Sequence, residues 1–219
     1  MLIGRQRRIG DGNGKNRSQI MKTSQMIDVQ MCFDTIFETL RNEDKNLIKL
    51  SSRLYNKNTE FKKEGINSLY EKYLHYVIFK ALLSLGDYLV YTEDDYPNGK
   101  GKCDITLYNA NDWDDTLWIE IKLVGYKEEW LDSKVYREWI KRDVRKLLKL
   151  PRANKFLLLT WVENEKPRKF KWKDALENAL KRVKVDPLLF DSFKTIYYEK
   201  EESKKYQKGY FAVCLLRVL

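Results

Sequence analysis

The sequence predicts an α/β domain with a mixed central sheet flanked by helices and a helical extension at its N-terminus. Three observations carry this. The 219 residues are 43% apolar, enough chain and enough apolar side chain for a substantial core. The hydrophobic period switches between about 3.6 and 2 along the chain, in the order helix, three strands, helix, strand, helix, strand, and such alternation builds parallel pairs across helical crossovers. No internal repeat, low-complexity tract or Pro-rich linker interrupts it, and there are only four prolines in all, so residues 26–219 read as one domain.

Met26–Leu50 carries apolar residues at Ile27, Met31, Ile36, Phe37, Leu40, Leu47 and Leu50 and reads as one or two helices covering the main body. In Asn67–Leu85, Tyr70, Leu74, Val77, Ile78, Ala81, Leu82 and Leu85 form one apolar stripe, and Gly86 stops the helix. Tyr88–Thr92, Cys103–Tyr108 and Thr116–Val124 are short β-prone runs separated by the turn-rich segments TEDDYPNGKGK and NANDWDD. A second strong helix runs from Ser133, its N-cap, to Leu150, with Pro151 marking its end. Phe156–Val162 reads as a buried strand, Trp172–Val183 as an amphipathic helix and Tyr210–Val218 as the last strand.

Composition removes several function classes. His75 is the single histidine, so HExxH proteases, multi-histidine zinc sites and two-histidine mechanisms drop out, and no nucleophile motif stands near it for a Ser/His/Asp triad. Cys32, Cys103 and Cys214 are widely spaced and odd in number, which indicates neither a zinc cluster nor a disulfide framework and fits a reducing compartment. No apolar run reaches the eighteen or so residues of a membrane span, and the N-terminus lacks the apolar centre of a secretory signal. A cytoplasmic protein without a membrane partner is expected.

The net charge of +10 makes a polyanion the partner to expect. Residues 1–25 hold Arg5, Arg7, Arg8, Lys15, Arg17 and Lys22 against Asp11 alone, in an aperiodic Gly/Asn-rich stretch. That stretch reads as a disordered nucleic-acid-binding arm, or as a leader ahead of a start at Met21 or Met26. From Asp104 to Asp132 eight acids face Lys122 and Lys127, whereas residues 134–155 carry nine bases against two acids. An acidic centre beside a basic flank suits a cation-assisted enzyme acting on a phosphodiester.

The chemistry concentrates on two strands. In Thr116–Val124, Leu117, Ile119, Ile121 and Leu123 share one face, leaving Trp118, Glu120 and Lys122 on the other. The preceding strand sets Asp104, Thr106 and Tyr108 against Cys103, Ile105 and Leu107. If the two strands pair as a hairpin, Asp104 and Glu120 converge. Two ionised carboxylates that close repel unless a cation lies between them, and an oxygen-only site without histidine suits Mg²⁺ or Mn²⁺. Lys122 beside that cation would lower the pKa of a bound water or hold it in line.

Lys102-Cys103-Asp104, fifteen intervening residues and then Glu120-Ile121-Lys122, set behind a Glu-bearing helix in αβββαβ order, resembles the PD-(D/E)XK nuclease superfamily. The resemblance covers roughly residues 64–162 and implies a restriction-endonuclease-like core. Cys103 stands where the family often has Pro, at a position that is not a ligand. By resemblance, Asp104 and Glu120 bind Mg²⁺ (or Mn²⁺), the main-chain carbonyl of Ile121 completes the site, and Lys122 orients the nucleophilic water. The implied activity is a Mg²⁺-dependent deoxyribonuclease, with endonucleolytic action expected, DNA favoured over RNA as partner, and a homodimer allowed. The rival readings are a non-catalytic nucleic-acid-binding module of the same fold and a ribonuclease.

The family usually adds an acid from the first core helix. Glu71 is the first choice because it falls beside Leu74, Ile78 and Leu82, with Glu64 in reserve. His75, one turn on, is within reach of a phosphate but reads more simply as a helix-surface residue. On the second helix Tyr136, Trp139, Ile140, Val144, Leu147 and Leu148 form the apolar stripe, and Asp143 sits within it, expected in a buried pair with an arginine. Lys134, Arg137, Lys141 and Arg145 are the expected phosphate contacts, among further bases, Arg142, Lys146 and Lys149, read mostly as solvated charge. Asp112, Asp114 and Asp115 are expected to be loop solubilisers.

Overall fold

The computed structural model describes residues 26–54, 65–66, 70–97, 99–124, 134–150, 154–167, 176–177, 185–198 and 206–219. In chain order the elements are α1 (Val29–Leu54), α2 (Glu71–Leu83), β1 (Tyr88–Asp95), β2 (Lys102–Asn109), β3 (Asp112–Leu123), α3 (Lys134–Leu148), β4 (Asn154–Glu163), β5 (Val185–Tyr198) and β6 (Tyr206–Val218). The strands form one mixed sheet in the order β1-β2-β3-β4-β6-β5. Only β3 and β4 pair in parallel, from Leu117↔Asn154 to Leu123↔Thr160, and α3 makes the crossover between them.

Each face of this sheet is covered by helix. Phe37 and Leu40 of α1 and Ile78 and Leu82 of α2 pack on Ile105, Leu107, Leu117, Ile119, Ile121, Phe156 and Phe211. On the other face Ile140, Val144 and Leu147 of α3 meet Trp118, Leu157, Leu159, Trp161 and Leu216. This double cover explains the unbroken Phe-Leu-Leu-Leu run of β4: in a strand covered on both faces every position is apolar. Of the expected α2 stripe, Leu74, Val77, Ile78, Ala81 and Leu82 are buried against the core, whereas Tyr70 is the exposed N-cap, and Gly86 at φ 74° ends that segment in a conformation a side chain would resist.

Several boundaries differ from expectation. The segment Met26–Leu50 contributes one helix that continues to Leu54. The turn between β2 and β3 is confined to Ala110 and Asn111, so Asp112 to Asp115 belong to β3. Asp115 is no solubiliser: its Oδ2 accepts the Ile27 N–H at 2.6 Å and the Asn109 side-chain amide at 3.2 Å, tying the start of α1 to the hairpin. The alternation expected of β2 also fails at one point. Cys103 packs with Tyr96 and Trp118, whereas Ile105 packs on the opposite face. The β1–β2 register is continuous here, from Thr92↔Ile105 to Asp94↔Cys103, but the Glu93–Asp104 pair between them is missing and Glu93 sits at φ 53°.

The 14-residue β5 is not among the expected strands, and it carries Pro187, which a strand interior resists. The chain resolves the conflict in the usual way: β5 is an edge strand, and its register shifts between Pro187 and Leu189. Gly65 is required by a close approach, since a Cβ there would lie 2.1 Å from Asp44 Oδ1 and 2.4 Å from Thr195 Oγ1. The expected arm 1–25, Glu64 and Ser133 lie outside the described residues, as does the expected helix Trp172–Val183 except for Leu176 and Glu177, which are helical. No helix among the described residues is long and apolar enough to cross a membrane.

Candidate active site

The β2–β3 ladder runs from Asn109↔Asp112 to Ile105↔Ile119 and goes no further, so the two strands part just where Asp104 and Glu120 stand. Asp104 fills the gap with its side chain, its Oδ2 accepting the Ile121 N–H at 2.8 Å. α2 supplies Glu71 at its first residue, where the helix dipole favours a carboxylate. Glu71 Oε1 lies 3.1 Å from Lys122 Nζ, and its Oε2 accepts the Leu123 N–H at 3.3 Å. From the other side α3 supplies Asp143, whose Oδ2 lies 3.1 Å from the same Lys122 Nζ. Lys122 therefore stands at the C-terminal end of β3, held between two helices.

A second lysine completes the cluster. Lys146 Nζ lies 2.9 Å from Asp143 Oδ1 and 3.1 Å from Glu120 Oε1, and Tyr96, stacked on Trp118, donates its hydroxyl to that same Glu120 oxygen. Glu120 and Asp143 are each 1% exposed. His75 of α2 reaches between the acids, Nδ1 at 3.8 Å from Asp104 Oδ1 and Nε2 at 4.0 Å from Glu71 Oε1. Glu71, Glu120 and Asp143 thus pair with the ammonium groups of Lys122 and Lys146, and Asp104, beside His75, adds its charge near Lys122; Arg142 Nε, 3.8 Å from Asp143, belongs to a side chain 66% exposed.

The crowding of charge shows in the titration of Glu120. Burial first, then the charges of Asp104 and Asp143, push the Glu120 carboxyl up to about 8, against the Tyr96 hydroxyl and Lys146, which favour the ionised form. Burial pulls the lysines down, but acids win at both: Asp143, Glu71 and Asp104 hold Lys122 above the usual range, and Asp143 and Glu120 do the same for Lys146. Burial and the Glu120 charge push the Cys103 thiol up to about 12, so it is neither ligand nor nucleophile at neutral pH.

No known protein family, curated protein or solved structure matches the chain.

The structure brings Glu71, Asp104, Glu120 and Lys122 to one strand end. Among the described residues no three His, Cys, Asp or Glu side chains form a complete metal cage. Glu71 and Asp143 are both turned to Lys122, so a cation here would draw on Asp104, Glu120 and the adjacent main chain at Ile121. All these donors are oxygen, the chemistry of Mg²⁺ and Mn²⁺ sites.

Three expectations are corrected. Asp143 pairs with Lys122 and Lys146 at 2.9–3.1 Å, not principally with an arginine. His75 is not on open surface: its side chain is 16% exposed, between Glu71 and Asp104. Lys146 is no solvated charge but a partner of both buried acids. Of the expected phosphate contacts, the Lys134 side chain lies outside the described residues, Lys141 is paired with Glu138 at 2.8 Å, Arg137 is partly exposed and Arg145 is exposed. Tyr96 went unnoticed in the sequence; the available signal was a lone aromatic in the polar turn segment TEDDYPNGKGK.

Proposed function

We propose that the protein is a metal-dependent nuclease that hydrolyses phosphodiester bonds of DNA, and that α2, β1–β3, α3 and β4 constitute a restriction-endonuclease-like αβββαβ core. The observation that carries this is the charge balance at the parted ends of β2 and β3. Four carboxylates outnumber by two the ammonium groups of the buried Lys122 and the partly exposed Lys146, and burial first, then the charges of Asp104 and Asp143, holds Glu120 toward its protonated form. Asp104, Glu120 and the Ile121 carbonyl are the groups that would hold the missing charge. A divalent cation bound there supplies a water of lowered pKa and neutralises charge on the phosphoryl oxygens.

The chain's own residues do the rest. Lys122 stays an ammonium at neutral pH because its acidic neighbours hold its pKa up, so it acts as a hydrogen-bond donor and positive charge toward the attacking water and the pentavalent phosphorus, not as a general base. Glu71 and Asp143 fix the direction of that ammonium from two helices. The water gives one proton to bulk solvent as its oxygen bonds to phosphorus, and the sugar oxygen whose bond to phosphorus breaks takes one proton from solvent. Tyr96 and Lys146 hold the Glu120 carboxylate to one side, toward Trp118 and α3.

The test is incubation of the purified chain with supercoiled plasmid, linear duplex, single-stranded DNA and RNA, each in Mg²⁺, Mn²⁺ or EDTA. Cleavage of a DNA substrate with either metal and none in EDTA is expected. Cleavage of RNA alone would transfer the reading to a ribonuclease, and binding without cleavage to a non-catalytic module.

A further inference from the structure

At the same end of the sheet as the acidic cluster, but on its far side, a cavity of about 420 Å³ opens where β5 and β6 run on past the end of β4. It is lined by Ile48 of α1, Asn164, and Lys194, Thr195, Lys208 and Tyr210 with their strand neighbours, and among the described residues no acidic one lines it. In the β5–β6 ladder Lys194 pairs with Tyr210 and Ile196 with Lys208, so the two lysines occupy diagonal positions on one face. Their neighbours Phe193 and Thr195 turn the other way, onto Phe37 and Asp44 of α1. Both lysines are exposed, and neither has an ion-pair partner among the described residues. Like charges at neighbouring ladder positions repel, and an anion between them removes that cost.

The register fixes where this pair lies relative to the proposed active site. Lys122 is level with Leu159 of β4, and Tyr210 is level with Glu163, four residues further along the same strand direction. Lys194, level with Tyr210, is four residues of rise and three strand spacings from Lys122, and Lys208 is six residues and two spacings away, so each lies roughly 20 Å from it. That is on the order of six base-pair steps along a duplex at about 3.4 Å per step.

We infer that Lys194 and Lys208 form a phosphate subsite that holds the backbone of the nucleic-acid substrate a few nucleotides from the scissile bond. The inference rests on the nuclease reading and extends it: the substrate crosses the C-terminal ends of β3 and β4 and is gripped again at the β5–β6 hairpin. Thr195 keeps its hydroxyl on Asp44 Oδ1 at 2.7 Å, so the polar contacts offered to a phosphate come from the lysines, the Tyr210 hydroxyl and the Asn164 amide.

The experiment is fluorescence anisotropy of a labelled 20-base-pair duplex with the full chain in EDTA, across 50–300 mM NaCl, for the wild type, Lys194→Ala/Lys208→Ala and Lys194→Glu/Lys208→Glu. Thermal melts confirm that the surface variants fold. Loss of two phosphate contacts should reduce the slope of log affinity against log salt by about 1.8, at roughly 0.9 per contact, and charge reversal should weaken binding further. Unchanged slopes alongside intact metal-dependent cleavage would overturn the subsite and leave the nuclease standing. A wild type that neither binds nor cleaves would overturn the nuclease reading itself. Protection of the wild type, but not the alanine variant, by inorganic triphosphate with unchanged duplex slopes would overturn the strand assignment in favour of a free phosphate ligand.

Discussion

Replacing Glu120 by Gln isolates the electrostatics of the site, because the amide keeps the volume and an acceptor for Tyr96 while removing the charge. In the metal-free protein the Glu120 carboxyl rises from 4.5 to about 8. Between those values the folded state binds more protons than the unfolded chain, so wild-type stability falls as pH rises through the window. At about 1.36 kcal/mol per unit the ceiling of that loss is near 5 kcal/mol, or roughly 10–20 °C in melting temperature for a chain of this size. Glu120→Gln has no such proton to lose. Its melting temperature in EDTA should be close to that of the wild type at pH 5.5 and higher at pH 8.5. With 5 mM Mn²⁺ the order should reverse at pH 8.5, the wild type gaining stability and the variant gaining none. Differential scanning calorimetry from pH 5 to 9, with Mn²⁺ or EDTA, reads all of this. A wild type whose EDTA stability is flat between pH 5 and 8, or a Glu120→Gln variant that Mn²⁺ stabilises as much as the wild type, would refute the charge-deficit argument.

Lys122→Met should retain Mn²⁺ stabilisation while cleavage falls by at least about two orders of magnitude, the effect of one well-placed electrostatic group; single-turnover kinetics beside Mn²⁺ melts separate the two. Asp143→Ala strands Lys122 and Lys146 without their shared acid and should cost about 3–5 kcal/mol in urea unfolding, the scale for breaking a buried pair. Asp44→Ala removes the acceptor for the Ile66 N–H and the Thr195 hydroxyl and should cost about 1–3 kcal/mol, whereas Asp44→Asn keeps an acceptor and should cost less. Because burial raises the Asp44 pKa, wild-type stability also declines as pH climbs through that raised value, and Asp44→Asn should flatten that decline in the same urea titrations.

The two central strands were legible because burial on both faces leaves a plain record. Leu117, Ile119 and Ile121 alternate with Trp118, Glu120 and Lys122, and a carboxylate beside an ammonium within a core strand has few other uses. Glu71 was legible for the same reason, an acid on the margin of a helical apolar stripe. What stayed hidden depends on contacts between distant segments. The missing Glu93–Asp104 pair, next to which Cys103 and Ile105 come to opposite faces, is a property of the β1–β2 pairing, not of either strand's pattern. Tyr96 sits in a stretch whose composition says only turn, and its role follows from stacking on Trp118. Lys146 looks like its exposed neighbours on α3 until the helix is docked, when it alone turns to Glu120 and Asp143. β5 was masked by Pro187, which a strand tolerates only at an edge or a bulge, and neither is visible before the sheet is assembled.

Cleavage of a labelled DNA duplex by identically purified wild type, Asp104→Asn and Glu120→Gln, each in Mg²⁺ and in EDTA, tests the central claim most directly, since a contaminating nuclease would survive either substitution. Metal-dependent cleavage by the wild type that is lost in both variants, with all three proteins folded, is the predicted result; equal cleavage by all three, or none by any with Mg²⁺ or Mn²⁺, would contradict it.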